Sequence, residues 1–179
     1  ALGRELGDRY SVAYTLVDLA EIAIKGQDYE DADQLLEESL SIMREIPDEL
    51  GVGQCLAQFA NLARAECNYQ KAGELYKEGL ALSRKVGDRA GGMGALRQQA
   101  ELYLCLGQVA KAVRLWSAAE TLGQAVGVPV RPSDRPRYEQ AMAQARAQLG
   151  EAAFEQAWAE GKTMNFDQAI DSVLSDSDS

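Results

Sequence analysis

The chain has 179 residues, 18 Lys and Arg against 28 Asp and Glu, and no histidine, so its formal net charge is −10 at pH 7. Without histidine it cannot build a Ser-His-Asp triad, a Cys-His pair or an HExxH zinc site. The acidic balance argues against a nucleic-acid partner, since such surfaces are normally basic. The composition, 46% hydrophobic and 26% charged, is that of an ordinary globular protein.

Cysteine usage and hydropathy predict the compartment. Cys55, Cys67 and Cys105 are an odd number and none belongs to a CxxC pair, so neither a disulfide framework nor a zinc site is indicated. No apolar run approaches the about 20 residues that a membrane span requires. These features predict a cytoplasmic protein with free thiols, no metal, no cofactor and no membrane partner.

A repeat with a period of 40 residues determines the predicted fold. At that step similar residues align in columns: Leu16, Leu56 and Leu96; Ala20, Ala60 and Ala100; Ala32, Ala72 and Ala112; Leu36, Tyr76 and Trp116. Within a repeat the apolar residues follow helical spacing, which predicts that Leu16, Leu19, Ala20 and Ala23 face the core. The alanine columns predict close helix crossings, where a larger side chain would not fit.

Each repeat is predicted to be a helical hairpin. Asp8, Asp48 and Asp88 are candidate N-caps of the first helices, and Asp28 and Asn68 of the second helices. One hairpin cannot bury its apolar face alone, so stacked hairpins share a core. The predicted fold is all-α, an α-solenoid of three hairpins at residues 8–47, 48–87 and 88–127, with residues 1–7 as the end of a preceding repeat helix.

Beyond Pro129 the period ends and a helical cap is predicted over residues 128–174. Its expected helices are 134–149, opened by Ser133 as N-cap with Pro136 in the first turn; 151–160, ended by Gly161; and one opened by Asn165 with Gln168 in a capping box. Residues 175–179, SDSDS, are predicted to be a disordered acidic tail.

The repeat columns resemble the tetratricopeptide repeat in its long form of about 40 residues, over roughly residues 9–127. The segments RLWSAAETLGQAVGVPV and RYEQAMAQARAQLGEAAFEQAWAEGKTMNFDQAI resemble the C-terminal sensor region of large bacterial regulators of the LuxR-like and signal-transduction ATPase type. The resemblance implies a non-enzymatic protein- or peptide-binding module that serves sensing or partner docking in a larger signalling or transcriptional regulator. Because the chain begins inside a predicted helix, the array is expected to extend upstream.

In tetratricopeptide arrays the first helices line a concave groove that holds an extended peptide or a partner helix. Here the face of those helices opposite the predicted core gives the candidate partner-binding residues: Tyr14, Asp18, Glu21, Gln58, Asn61, Arg64, Arg97, Gln98 and Glu101. A carboxamide such as that of Asn61 can hydrogen-bond a peptide backbone without reading its sequence, and the planar guanidinium groups of Arg64 and Arg97 suit carboxylates. We predict no catalytic residue on this face, because no nucleophile with a base and no phosphate-binding loop accompanies its carboxylates.

The predicted groove is unevenly charged. Residues 1–47 carry 4 basic and 11 acidic side chains, whereas residues 48–87 carry 5 of each. A partner with a basic end would be steered toward the first repeat, although exposed charges change association rates more than affinity.

Two alternative functions stay open at this point. One is a small-molecule effector sensor, with its ligand near Tyr14, Asn61, Arg97 and Tyr103. The other is a scaffold that packs against another part of its own protein or against another copy. The sequence leaves the partner and the oligomeric state undetermined.

Overall fold

The computed structural model describes the backbone of residues 2–176 and the side chains of residues 7–176. That part of the chain is all-helical, without a strand, which confirms the predicted fold class. Its helices are α1 (Leu2–Gly26), α2 (Tyr29–Glu45), α3 (Glu49–Ala65), α4 (Tyr69–Val86), α5 (Arg89–Cys105), α6 (Val109–Ala125), α7 (Arg135–Leu149), α8 (Glu151–Lys162) and α9 (Phe166–Leu174).

The chain divides into two compact units. The first, Ala1–Val86, contains the two hairpins α1–α2 and α3–α4. The second, Gly87–Ser179, contains the hairpin α5–α6 together with α7, α8 and α9. The predicted repeat boundaries at residues 47 and 87 therefore fall between helices, and the third predicted repeat folds with the predicted cap rather than with the first two repeats.

Aspartate and asparagine side chains cap the starts of α3, α4 and α5 as predicted. The carboxylates of Asp48 and Asp88 accept hydrogen bonds from the backbone N–H groups of Gly51 and Gly91 at 3.1 and 2.9 Å. Asn68 accepts the N–H of Lys71 at 3.2 Å in the same way. Each bond satisfies one of the backbone donors that a helix start leaves unpaired, a contribution of about 1 kcal/mol per cap.

The boundary predicted at Gly7 and Asp8 is wrong. Helix α1 runs without a break from Leu2 to Gly26, so residues 2–7 belong to the first helix of the first hairpin and Asp8 does not cap it. The aligned boundary before Asp88 has Gly87 in a left-handed turn with φ of 74°, whereas Gly7 stays helical. A glycine inside a helix costs only about 1 kcal/mol relative to alanine, which is not enough to end it.

The core of the first unit follows the repeat columns. Ala20, Ala60, Ala32 and Ala72 are fully buried, and so are the large residues Leu36 and Tyr76. The orientation of α1 differs in detail from the prediction: Val17 is buried, while Leu19, which was expected in the core, is 45% exposed. The reason is that α1 packs on α2 and α3 through its Ala13–Val17–Ala20 side, which turns Leu19 outward.

The second unit buries Ala100, Ala112 and Trp116 in the same columns. Helix α8 packs along α6, and Gly161, expected to end a helix, instead lies inside α8 at the crossing. A Cβ on Gly161 would overlap the backbone carbonyl of Arg114 and approach Ser117 Cβ to 2.7 Å. Glycine is therefore required there by close packing, and the predicted end of this helix at residue 160 is wrong.

The last helices fix the C-terminal end of the second unit. Ser133 is not the N-cap of α7; Asp134 is, without a side-chain cap bond. The capping box of Asn165 and Gln168 that opens α9 is present as predicted. Asp176, two residues after the end of α9, accepts hydrogen bonds from Lys111 Nζ of α6 with both carboxylate oxygens, at 2.6 and 2.7 Å. Residues 177–179, the rest of the predicted acidic tail, lie outside the described residues.

Candidate functional site

The predicted partner-binding residues fall in both compact units, so they form two separate sets. The first unit holds Tyr14, Asp18 and Glu21 on α1 and Gln58, Asn61 and Arg64 on α3. The second unit holds Arg97, Gln98 and Glu101 on α5.

Tyr14 contributes to the packing between the first two hairpins. Its hydroxyl donates to Asp48 Oδ2 at 2.9 Å, and its ring packs beside the buried cluster that contains Val17 and Cys55. Burial raises the pKa of the Tyr14 hydroxyl to about 12 from its ordinary value of 10.0, and the hydrogen bond to Asp48 adds to the shift. Since Asp48 also caps α3, Tyr14 links α1 to the start of α3 rather than projecting freely toward a ligand.

Asp18 and Glu21 give the α1 side of the first set its negative charge. Asp18 is exposed, and Glu21 is half-buried and accepts a hydrogen bond from Lys25 Nζ at 2.7 Å, one helical turn along. An i, i+4 ion pair of this kind stabilises a helix by only about 0.3–0.5 kcal/mol. The ion pair with Lys25 therefore contributes little to the stability of α1.

Asn61 and Gln58 form a carboxamide pair on α3. Asn61 Nδ2 donates to Gln58 Oε1 at 3.0 Å, and the hydroxyl of the buried Tyr76 donates to Asn61 Oδ1 at 2.6 Å. Within the described residues these are the hydrogen bonds of the pair, so one N–H of Asn61 and the amino group of Gln58 keep donor capacity. Tyr76 thus orients the pair from inside the core, a role that spacing alone did not reveal.

Arg64 is half-buried in the last turn of α3. A cation at that position interacts favourably with the negative end of the helix dipole, typically by 0.3 to about 1 kcal/mol at an exposed site. Arg64 therefore has a structural contribution of its own beside the carboxylate-binding role that the sequence predicted.

Arg97 hydrogen-bonds the backbone of the segment that follows α6 in its own unit. Its Nη2 donates to the carbonyl of Val128 at 2.7 Å, and the carbonyl of Ala119 lies at 3.5 Å. Gly123 leaves room for this arrangement, because a Cβ there would meet Val128 O at 2.6 Å and overlap the guanidinium. Burial lowers the pKa of the Arg97 guanidinium, which Tyr138 and Glu120 partly oppose. Arg97, which the sequence predicted to bind a carboxylate of a partner, therefore holds residues 126–128 against α5 and α6.

Glu101 and Gln98 lie beside Arg97 on α5. Glu101 accepts a hydrogen bond at 2.6 Å from Arg137 of α7, so this carboxylate also has a partner within its unit. Next to it, Tyr138 of α7 donates to Glu120 at 2.7 Å and packs edge-on against Trp116. The side-chain oxygen of Gln98 is buried without a hydrogen-bond partner among the described residues.

The sequence did not identify the cleft of about 540 Å³ on the first unit, lined by Glu37, Leu40, Ser41, Arg44, Glu45 and Phe59. Only Leu40 and Phe59 in this lining are half-buried, and the remaining side chains are exposed. Small-molecule sites usually bury 70% to about 90% of their ligand, which an open cleft of this kind does not do.

Within residues 7–176 no group of His, Cys, Asp and Glu side chains is arranged to hold a metal ion. In the same part of the chain no helix has the length and apolarity needed to cross a membrane. The thiol of Cys55 is buried against Ser39 and Met43, and burial raises its pKa, which makes it a poor nucleophile.

Comparison with known protein families gives one match, in the first part of the chain. Residues 11–85 match the sequence model of the family described as Tetratricopeptide repeat. This match begins inside α1, includes α2 and α3 and ends in the last turn of α4, whereas the predicted resemblance extended to residue 127. No curated protein matches the chain.

Proposed function

We propose, on the premise that residues 11–85 are tetratricopeptide repeats, that the protein is a non-enzymatic module that binds an extended segment of another protein. Tetratricopeptide repeats generally mediate protein–protein interaction and are typically non-catalytic. In this proposal the binding surface is the part of the first unit formed by Asp18, Glu21, Gln58 and Asn61, here called the carboxamide face.

The observation that carries the proposal is the pair of oriented carboxamides. A peptide in extended conformation presents backbone carbonyl and N–H groups that need partners when water is excluded. Gln58 has both amide N–H groups available for such carbonyls, and Asn61 has one. Because Tyr76 holds Asn61 from the core, the side chains lose little freedom on binding, which reduces the entropic cost of association.

The charge of the α1 side indicates the partner's composition. Asp18 and Glu21 lie on the α1 part of the carboxamide face, and residues 1–47 as a whole carry 11 acidic and 4 basic side chains. A segment that carries Lys or Arg at the end nearest α1 would be attracted by this negative charge. Such steering raises the association rate and makes it sensitive to salt.

The proposal also covers the kind of larger protein in which the module acts. The segments 114–130 and 137–170 resemble the C-terminal sensor region of large bacterial LuxR-like and signal-transduction ATPase regulators. We therefore assign the binding function to the partner-docking or sensing part of such a regulator, acting in the cytoplasm. In the second unit, Arg97 and Glu101 contribute to internal packing, since both are engaged by residues 128–137 of the same unit.

A peptide-display selection tests the proposal and also identifies the sequences that the carboxamide face prefers. The immobilised chain is used to enrich peptides from a random library, and their affinity is then measured by calorimetry. Gln58→Ala should weaken an enriched peptide about threefold to tenfold, because one hydrogen bond contributes about 0.5–1.5 kcal/mol. Asp18→Lys should slow association of basic peptides.

Matched substitutions on α2 serve as controls. Gln34→Ala removes an exposed carboxamide and Glu38→Lys reverses an exposed acid, and both lie outside the carboxamide face. Neither should change the affinity. The proposal fails if no peptide is enriched, or if the α2 substitutions weaken binding as much as those at Gln58 and Asp18.

A further inference from the structure

The second unit contains a counterpart of the carboxamide face. At the step of 40 residues, Gln98 and Glu101 of α5 correspond to Gln58 and Asn61 of α3. We call Gln98 and Glu101 the closed face, because a helix of the same unit binds there: Arg137 of α7 donates to Glu101 Oε2 at 2.6 Å.

Two adjacent residues hold the first half of α7 in place. Arg137, which is itself 61% exposed, forms the ion pair with Glu101 of α5. Tyr138 donates to a carboxylate oxygen of Glu120 of α6 at 2.7 Å and packs edge-on against Trp116, with the ring centroids 6.2 Å apart. The hold on the first half of α7 therefore comes from an arginine and an aromatic residue, each of which binds a glutamate.

The other packing of α7 is slight and lies at its far end. Among Arg135–Leu149 only Ala145 is buried, whereas α3 and α5 bury six and eight residues. Near the end of α7, the Arg146 guanidinium lies 4.0 Å from the ring centroid of Phe154 of α8. Segments with little buried apolar surface open at low free energy. The first half of α7 can therefore separate from α5 while its second half stays on α8.

Gln98 has hydrogen-bonding capacity that α7 leaves unused. Its side-chain oxygen is buried without a hydrogen-bond partner among the described residues. Helix α7 supplies no donor there: Pro136 has no N–H group, and that of Tyr138 is bonded to the Asp134 carbonyl at 3.0 Å. A segment in extended conformation keeps its backbone N–H groups available and can donate one to Gln98. An extended ligand therefore satisfies the closed face better than α7 does.

We propose that the closed face is a second partner-binding site, which the first half of α7 occupies as an internal substitute for the ligand. The ligand is an extended segment of another protein that carries an arginine and an aromatic residue at neighbouring positions. Arg137 and Tyr138 present this pair to the unit in the closed state. The site belongs to the second unit and the carboxamide face to the first, so either proposal can be correct without the other.

Hydrogen–deuterium exchange of the unaltered chain measures whether the first half of α7 opens. The backbone amides of residues 138–142 should exchange at least about tenfold faster than those of α6 and α8, because they open locally. Arg137→Gln removes the ion pair with Glu101 and should accelerate them further, without changing the amides of α8. Arg135→Gln, at an exposed arginine two positions away, is the control and should have no effect.

A peptide selection on two variants identifies the ligand of the closed face. A random library is enriched in parallel on Arg137→Gln/Tyr138→Phe, in which the first half of α7 is loosened, and on Arg135→Gln/Gln140→Ala, which changes two exposed residues of the same half. Peptides with the arginine–aromatic pair should bind the loosened variant at least about tenfold more tightly than the control variant. Adding Glu101→Gln should remove this difference.

The parallel design separates the two proposed sites. Peptides that bind the carboxamide face are enriched by both variants and are weakened by Gln58→Ala, whereas those of the closed face are not affected by that substitution. Circular dichroism verifies that the variants keep their helices, and the exchange measurement on the unaltered chain needs no substitution.

Three outcomes overturn the proposal. Residues 138–142 exchange no faster than α6; or the loosened variant enriches no peptide that the control variant does not also enrich; or the peptides specific to the loosened variant lack the arginine–aromatic pair. Any of these results would leave α7 as a fixed structural element of the second unit.

Discussion

The hydroxyl of Tyr76 reaches from the core of the α3–α4 hairpin to Asn61 Oδ1 at 2.6 Å, and this contact joins a core residue to the carboxamide face. Tyr76 stands in the column that Leu36 and Trp116 occupy in the neighbouring repeats, where it fills space as a large side chain. The phenol adds a directional bond that leucine cannot make. The second repeat therefore combines packing with orientation of Asn61.

A double-mutant cycle measures this link. Tyr76→Phe and Asn61→Ala should each lower the free energy of unfolding, and their effects should couple by about 0.5–1.5 kcal/mol, the net value of one hydrogen bond. Urea unfolding followed by circular dichroism gives the four values needed. A coupling energy of zero within error would show that the contact has no energetic role.

Arg97 is predicted to stabilise the second unit. Arg97→Leu removes the charge-assisted hydrogen bond to the Val128 carbonyl at 2.7 Å, and the free energy of unfolding should fall by about 1.5–3 kcal/mol. The backbone amides of residues 126–128 should exchange with solvent faster, as seen by hydrogen–deuterium exchange. Arg135→Leu, at an exposed arginine of α7, is the control and should change neither quantity. Equal effects of the two substitutions would contradict the assigned role.

Two glycines of the second unit should respond to alanine in opposite directions. Gly161→Ala inserts a methyl group where α8 crosses α6 and should destabilise the unit by at least about 1–3 kcal/mol. Gly94→Ala adds the same group in helix α5, where nothing lies within 4 Å, and should stabilise the unit by about 0.5–1 kcal/mol. Thermal melting of both variants checks the pair. A neutral Gly161→Ala would mean that α8 can move away from α6.

Tyr14 should make the protein less stable at alkaline pH. The pKa of its hydroxyl is raised to about 12, above the ordinary 10.0, so the folded state holds the proton that the unfolded state releases first. Its contribution to stability is complete below pH 10 and is lost as the pH rises through 10 toward 12. Tyr14→Phe should be less stable than the parent near neutral pH, and the difference should shrink across this range.

Chemical denaturation at a series of pH values tests that dependence. Val52→Ala is a suitable control, because it weakens the same packing region without altering a titrating group. It should remain less stable than the parent by a constant amount. A constant difference for Tyr14→Phe as well would show that the hydroxyl does not titrate differently in the folded protein.

The helical hairpins could be predicted from the sequence because their signals are local. Asp48 and Asp88 each cap a helix by bonding a backbone N–H group three residues further along the chain. The fully buried alanines Ala20, Ala60 and Ala100 recur at the repeat step of 40 residues. The left-handed turns between the helices recur as well: Gln27, Cys67 and Gly107 have φ values of 66°, 62° and 74°.

The features that were missed depend on the tertiary neighbours of a residue. Gly161 has the sequence signature of a helix end, but the proximity of the Arg114 carbonyl gives it another role. Leu19 occupies the same column as Phe59, yet Phe59 packs against the core cluster that contains Ala32 and Leu36 of α2, whereas Leu19 is exposed. Among the predicted site residues, the exposure of Asp18 follows from its position on its own helix. Tyr14, Arg97 and Glu101 instead hydrogen-bond residues at least 22 positions away along the chain, which helical spacing does not reveal.

Nuclear magnetic resonance of the protein with a display-selected peptide tests the central claim most directly. The side-chain amide signals of Gln58 and Asn61 can be observed individually, and the backbone amides around Asp18 report on the α1 side. The account predicts that the Gln58 and Asn61 side-chain signals shift in a saturable manner, together with backbone signals around Asp18, while signals of Gln34 on α2 do not move. Saturable shifts confined to other parts of the protein, with the Gln58 and Asn61 amides unchanged, would contradict it.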